Sequence, residues 1–118
     1  MLGKLKEVAM GKAMAKLETV LGPEVKNHVD TLKSLKPADV QDDEKFTSVF
    51  IKPTVISLKA STGGAITLAE KAGIKVEEKL VKGFLHIRDE LIQVEGEKVK
   101  LDPDFASKAA PTLMAAFK

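Results

Sequence analysis

Between Leu2 and Leu21 the apolar residues fall at steps of three or four. Leu2, Leu5, Ala9, Ala13, Leu17 and Val20 share one helical face, widened by Met10, Met14 and Leu21. Gly22-Pro23 reads as the end of that helix and the start of another, with glycine as a C-terminal cap and proline at the first helical position. The second helix is expected to reach Lys36 with Val25, His28, Val29, Leu32 and Leu35 inward, and Pro37 ends it. An N-terminal helical hairpin with a very short connection is therefore expected.

Pro37 to Lys45 is polar, with Asp39, Asp42, Asp43 and Glu44 clustered, and reads as a loop leading into an acid-rich helix start. From Phe46 to Ala60 two patterns compete. The many β-branched residues favour two short strands around Lys52-Pro53, whereas Phe46, Val49, Phe50, Pro53, Ile56 and Ala60 also fit a helix kinked at the proline. The strand pair is placed slightly ahead. Ser61-Thr62-Gly63-Gly64 is a turn, followed by a short helix from Ala65 to Ala72 that Gly73 closes.

The strongest periodicity comes next. Val76, Leu80, Phe84, Ile87 and Leu91 form one stripe, with Val81, Leu85 and Ile92 beside it, so this helix is expected to be central and covered on two sides. Gly83 in its middle costs about 1 kcal/mol relative to alanine unless a neighbour packs closely over it. Leu91 to Val94 and Val99 to Leu101 alternate around Glu95-Gly96-Glu97-Lys98 as a β-hairpin does. Asp102-Pro103 then opens a C-terminal helix, which Pro111 is expected to divide. The resulting fold class is α+β and helix-dominated, a single domain over residues 1–118, and residues 65–101 follow the element order of a winged helix-turn-helix.

Composition narrows the chemistry more than it names it. The 118 residues are 44% hydrophobic and 31% charged, which is globular, and the net charge of +2 is too small to recruit a polyanion over distance. There is no Cys, Trp or Tyr, one arginine (Arg88) and two histidines. Disulfides, thiolate metal sites and nucleophilic thiols are excluded, and stability must come from the core alone. No apolar run approaches the ~20 residues of a membrane helix. A cytoplasmic setting is the expectation.

The candidate residues read mostly as structure. His28 lies on an apolar face with Leu32 one turn on and no second metal ligand near it in sequence, the setting of a boundary histidine. His86 sits between Lys82 and Glu90 on a polar face, and Glu77, Glu78, Asp89 and Glu90 lie on the wet side of their helix, where no carboxyl pKa is raised for acid catalysis. Asp42-Asp43-Glu44 lacks the alternating ligands and central glycine of a calcium loop. Ser61 to Gly64 has the ingredients of an anion nest but neither the lysine nor the spacing of a phosphate-binding loop. No nucleophile, base and orienting group can be assembled from the spacing, so an enzyme is not expected, and no cofactor or metal is called for.

Two further classes carry weight as alternatives. A winged-helix nucleic-acid binder is argued against by Glu77-Glu78 at the start of the would-be recognition helix and by the acidic hairpin tip. A carrier of a small apolar molecule would need a cavity beside the long helix. Lys4, Lys12 and Lys16 border the apolar face of the first helix as in a membrane-surface helix, yet Glu7 and Glu18 dilute that charge. The reading carried forward is a non-enzymatic protein-interaction or self-assembly module. Phe105, Leu113, Met114 and Phe117 are its expected contact residues, in a segment expected to dock on the N-terminal helix or on another subunit.

Overall fold

A computed structural model describes residues 2–117, with the side chains of Leu2, Gly3 and Leu5 excepted, so the placement of Leu2 and Leu5 on the inner helical face lies outside the described residues. Its first element corrects the hairpin expectation. Helix α1 runs unbroken over Leu2–Lys33 with Pro23 inside it. Its 32 residues would span ~48 Å as a straight helix, close to the 53 Å long axis of the molecule.

Why Pro23 fails as a stop is visible in its surroundings. Proline lacks the N–H that would bond the carbonyl four residues back, and here that residue is Thr19, exposed like Pro23 itself. A carbonyl freed on the wet side of a helix is solvated at little cost. Meanwhile Leu17, Leu21, Val25 and Leu32 are buried on the other side and hold both halves of the helix to one core.

Two short helices follow: α2 (Pro37–Gln41) takes the place of the expected loop, and α3 (Asp43–Phe46) is the expected acid-rich helix start, with Asp43 and Glu44 in its first turn. Asp42 caps α3 by accepting a hydrogen bond from the Lys45 backbone N–H at 3.0 Å. The strand pair expected around Lys52-Pro53 is absent. The chain continues from α3 as a π-helical turn, Thr47–Ile51, into helix α4, Lys52–Ser61. Phe46, Phe50, Ile51, Val55 and Leu58 are all buried, so packing of one helical face overrides the β-branched propensity. The kinked-helix alternative describes the segment better. Pro53 sits at the second position of α4, where a missing N–H is tolerated, and the wider π turn precedes it.

The turn at Gly63 and Gly64, with φ of 62° and 91°, needs glycine because L side chains avoid that region. Helix α5 (Ala65–Lys71) and the long helix α6 (Val76–Leu91) follow as expected. Val76, Leu80, Phe84, Ile87 and Leu91 are buried to a residue. Strands β1 (Ile92–Glu95) and β2 (Lys98–Leu101) pair antiparallel in the register Ile92 with Leu101 and Val94 with Val99. Helix α7 (Phe105–Met114) then crosses back and ends in a 3-10 turn, Ala115–Phe117. Pro111 lies within α7 and does not divide it; as at Pro23, the residue four back, Ser107, is exposed.

Gly83 marks the crossing of α6 and α7. A Cβ there would overlap Leu113 Cδ1 and lie 3.1 Å from the Leu113 carbonyl oxygen, so the glycine trades helix propensity for close approach. The core is one cluster, laid along α1 and drawing on every helix and both strands.

Candidate functional site

The four residues expected to face a partner are inside the molecule. Phe105, Leu113, Met114 and Phe117 are buried in the common core, where α7 packs on α1 and α6. The segment docks on the N-terminal helix of its own chain, and these side chains present no surface to another.

His28 is half-buried, and what it touches was not legible as a site. Its Nε2 lies 3.0 Å from Glu24 Oε2, one turn earlier on α1. The Ser57 hydroxyl donates to both Glu24 oxygens at 3.1 and 3.0 Å, and the Ser61 hydroxyl donates to Oε1. Burial by itself pushes the Glu24 carboxyl up, but the hydrogen bonds from Ser61, Ser57 and His28, with the charge of His28, outweigh it and hold the pKa below the usual value. Glu24 is therefore a carboxylate, and an acceptor only, so His28 must carry its proton on Nε2. Neither serine bonds the histidine. The cluster is a polar latch of α4 to α1 and not a nucleophile with its base.

The His28 ring also meets Phe50 edge-on at 6.1 Å. Behind the pair lies a crevice lined by apolar side chains including Leu21, Leu58, Phe84 and Phe105, with a volume of about 20 Å³. That is room for about one water, far below the ~300 Å³ at which ligand pockets begin. No cluster of three metal-ligating side chains occurs among the described residues, and no helix is long and apolar enough to cross a membrane.

Arg88, the one guanidinium, is occupied within the fold. It pairs with Asp43 at 2.6 Å and Asp89 at 2.9 Å, donates to the Val40 carbonyl at 3.4 Å and stands over the Phe46 ring at 5.7 Å. Burial lowers its pKa and the two carboxylates more than restore it, so it stays charged. It clamps α6 to the short helices and is not offered to a ligand. The exposed face of α6 carries Glu77, Glu78, Lys82, His86, Asp89 and Glu90.

The remaining feature is the outer side of α4. Ile56 is 69% exposed and Val49 42%, and Pro53 and Ala60, which complete the same face, are exposed too. At 100° per residue, Pro53, Ile56 and Ala60 point away from the buried side formed by Thr54, Val55 and Leu58. The π turn, which advances by less per residue, brings Val49 onto the same line. One border of this face is Ser57 and Ser61, turned toward Glu24 of α1. The other is Lys52 and Lys59. Lys59 pairs with Glu70 at 3.1 Å, whereas Lys52 shares an open basin with Glu77 and Glu78 without pairing to either.

Val49, Pro53, Ile56 and Ala60 are four of the six residues that the kinked-helix pattern groups on one face; the structure buries Phe46 and Phe50 of that group and leaves these four exposed, because Ile51, Val55 and Leu58 take the buried side. The signal was present as a second apolar row, offset from Ile51, Val55 and Leu58. Compared with models of known protein families, with curated proteins and with solved structures, the chain matches none.

Proposed function

We propose that the chain is a non-enzymatic protein-interaction module whose contact face is the outer side of α4. The observation that carries this reading is the exposure of Val49 and Ile56 on one helical row; the other exposed large apolar side chains among the described residues, Val8 on α1 and Leu68 on α5, do not share an element with a second one. A single exposed apolar residue is ordinary, but a row of them on a rigid helix marks a surface that gains free energy when covered. Removing Ile56 alone from water is worth about 1.5–3 kcal/mol. The polar latch at Glu24 supports the reading from the other side: it holds α4 to α1 and so fixes the row in place without using it.

Site-directed photocrosslinking tests this directly. A photoreactive residue replacing Ile56 should give a discrete protein adduct in native cells, and the same residue replacing Ser107 on α7 should not. Equal labelling from both positions, or none from position 56, would remove the docking face.

A further inference from the structure

We infer that residues 24–33 of α1 form a gate over the apolar crevice, hinged at Gly22-Pro23 and at residues 34–36, and held shut by the bonds of Glu24 to α4.

Four helices wall the crevice: α1 with Leu21 and Val25, α4 with Leu58, α6 with Phe84, and α7 with Phe105 and Ala109. Three of these walls are fixed to one another. A Cβ at Gly83 would strike Leu113, so α7 is seated directly on the backbone of α6. Arg88 ties α6 to Asp43 and to the Val40 carbonyl, and Val55 and Leu58 of α4 are wholly buried. The α1 wall is held more lightly. Before Pro23 its Ala13, Leu17 and Leu21 are all buried to within 1%. Beyond it only Leu32 is covered as fully; Val25 keeps 8% of its surface, and His28 and Val29 are half-buried.

Both ends of this segment are built to bend. Pro23 has no N–H for the Thr19 carbonyl, so the helical ladder is already one bond short there. A Cβ on Gly22 would meet nothing within 4 Å. Unlike Gly83, this glycine permits no close approach, and what it does is soften the helix. At the other end residues 34–36 are not helical, and Lys36 is extended, with φ of −78° and ψ of 145°. Hinges are usually a few such residues at the ends of rigid pieces.

The latch spans the joint between the movable wall and a fixed one. Glu24 follows the hinge directly, accepts from Ser57 and Ser61 of α4 and lies 3.0 Å from His28 Nε2 on its own helix. Opening therefore breaks the two serine bonds and wets the crevice while α4, α6 and α7 stay packed. The open state is a minor one, since Val25 and Leu32 leave the core in it.

The chain has no cysteine, so Ala109→Cys introduces a single thiol at a fully buried point of the crevice wall. Ala69→Cys places one in the core away from it. Labelling by methyl methanethiosulfonate below the unfolding transition should be nearly independent of guanidinium at position 109 and should follow global unfolding at position 69. Glu24→Ala should speed the labelling at 109 about fivefold by releasing the latch. Gly22→Ala should slow it about fivefold by stiffening the hinge. Hydrogen exchange of the cysteine-free chain gives a second measurement. The amides of Glu24, Val25 and Lys26 have their helical acceptors across the hinge, at Val20, Leu21 and Gly22. They should exchange faster than those of Leu17 and Leu21 and respond to both substitutions in the same directions.

Labelling at 109 that tracks global unfolding would overturn the gate. So would a local opening indifferent to Glu24→Ala or to Gly22→Ala, because the moving wall would then lie elsewhere. If Ala109→Cys does not fold, exchange decides alone, and equal protection on the two sides of Pro23 would overturn the gate.

Discussion

Helices α4 and α7 are alike in length, in containing a proline and in carrying rows of apolar side chains, yet one is closed and the other half open. On α7 the inward residues Phe105, Ala109, Leu113 and Met114 meet α1 and α6, and the outward ones are small or polar: Ala106, Ser107, Lys108 and Pro111. On α4 the inward row is equally well covered, and a second row faces outward. Apolar content therefore does not locate a contact surface. What sets α4 apart is apolar content left over once the chain's own core is complete.

The difference can be tested by substitution on each side. The largest effect is expected at the closed crossing: Leu113→Ala or Leu80→Ala should cost about 2–5 kcal/mol in chemical denaturation, since both side chains are fully buried and leave a cavity. An effect on the scale of a surface substitution at both would mean that α6 and α7 do not form the core. Gly83→Ala should cost about 1–3 kcal/mol by pushing α7 off α6, although alanine is the better helix former. A stabilised Gly83→Ala protein would show that the crossing is looser than its 3.1 Å approach to the Leu113 carbonyl.

Smaller, and pH-dependent, is the latch that fixes α4. Glu24→Ala strands two serine hydroxyls and His28, at about 1 kcal/mol because water reaches the cluster. Glu24 is held below the usual carboxylate value, so its contribution is full above the ordinary glutamate pKa of about 4.3 and is lost as pH falls through the lowered folded value. Denaturation midpoints of the parent and Glu24→Ala proteins should therefore converge in acid. A gap that widens there would reverse the assignment of Glu24 as the ionised partner. Least of all should Ile56→Asp change stability, by no more than about 0.5 kcal/mol, because the open row contributes little to the fold. A substantial loss would place Ile56 in the core and remove the contrast between the two helices.

Much of the closed half was readable in advance. The α6 stripe, the Gly63-Gly64 turn, the short helix before α6, the hairpin and the need for close packing at Gly83 all follow from periodicity and glycine placement, which are local signals. Prolines misled. Pro23 and Pro111 sit inside helices because the carbonyls they free face water, and polar Thr19 and Ser107 four residues earlier were the available sign. At Pro53 the corresponding residue is Val49, apolar and still exposed, so the same test would have failed on the outer face of α4.

The Glu24 cluster was hidden for a related reason. Its parts lie 33 and 37 residues apart and meet only if α1 continues past Pro23 and residues 52–61 are helical. Both conditions ran against the local reading. Phe105, Leu113, Met114 and Phe117 were correctly expected to seek cover, but nothing in their spacing says whether that cover belongs to the same chain.

The span of α1 along the whole molecule also imposes an order of events on biosynthesis. Its inner face, Ala9, Ala13 and Leu17 among it, is complete once Lys33 has been added, but of the helices that cover it α4 and α5 end only at Lys71 and α7 begins only at Phe105. At about 5–20 residues per second, the roughly 70 residues between Lys33 and Phe105 take about 4–14 s to synthesise. Until α4 and α5 are made the nascent chain carries a long amphipathic helix without cover, and it lacks α7 for the whole interval, the kind of surface that chaperones hold and aggregates recruit.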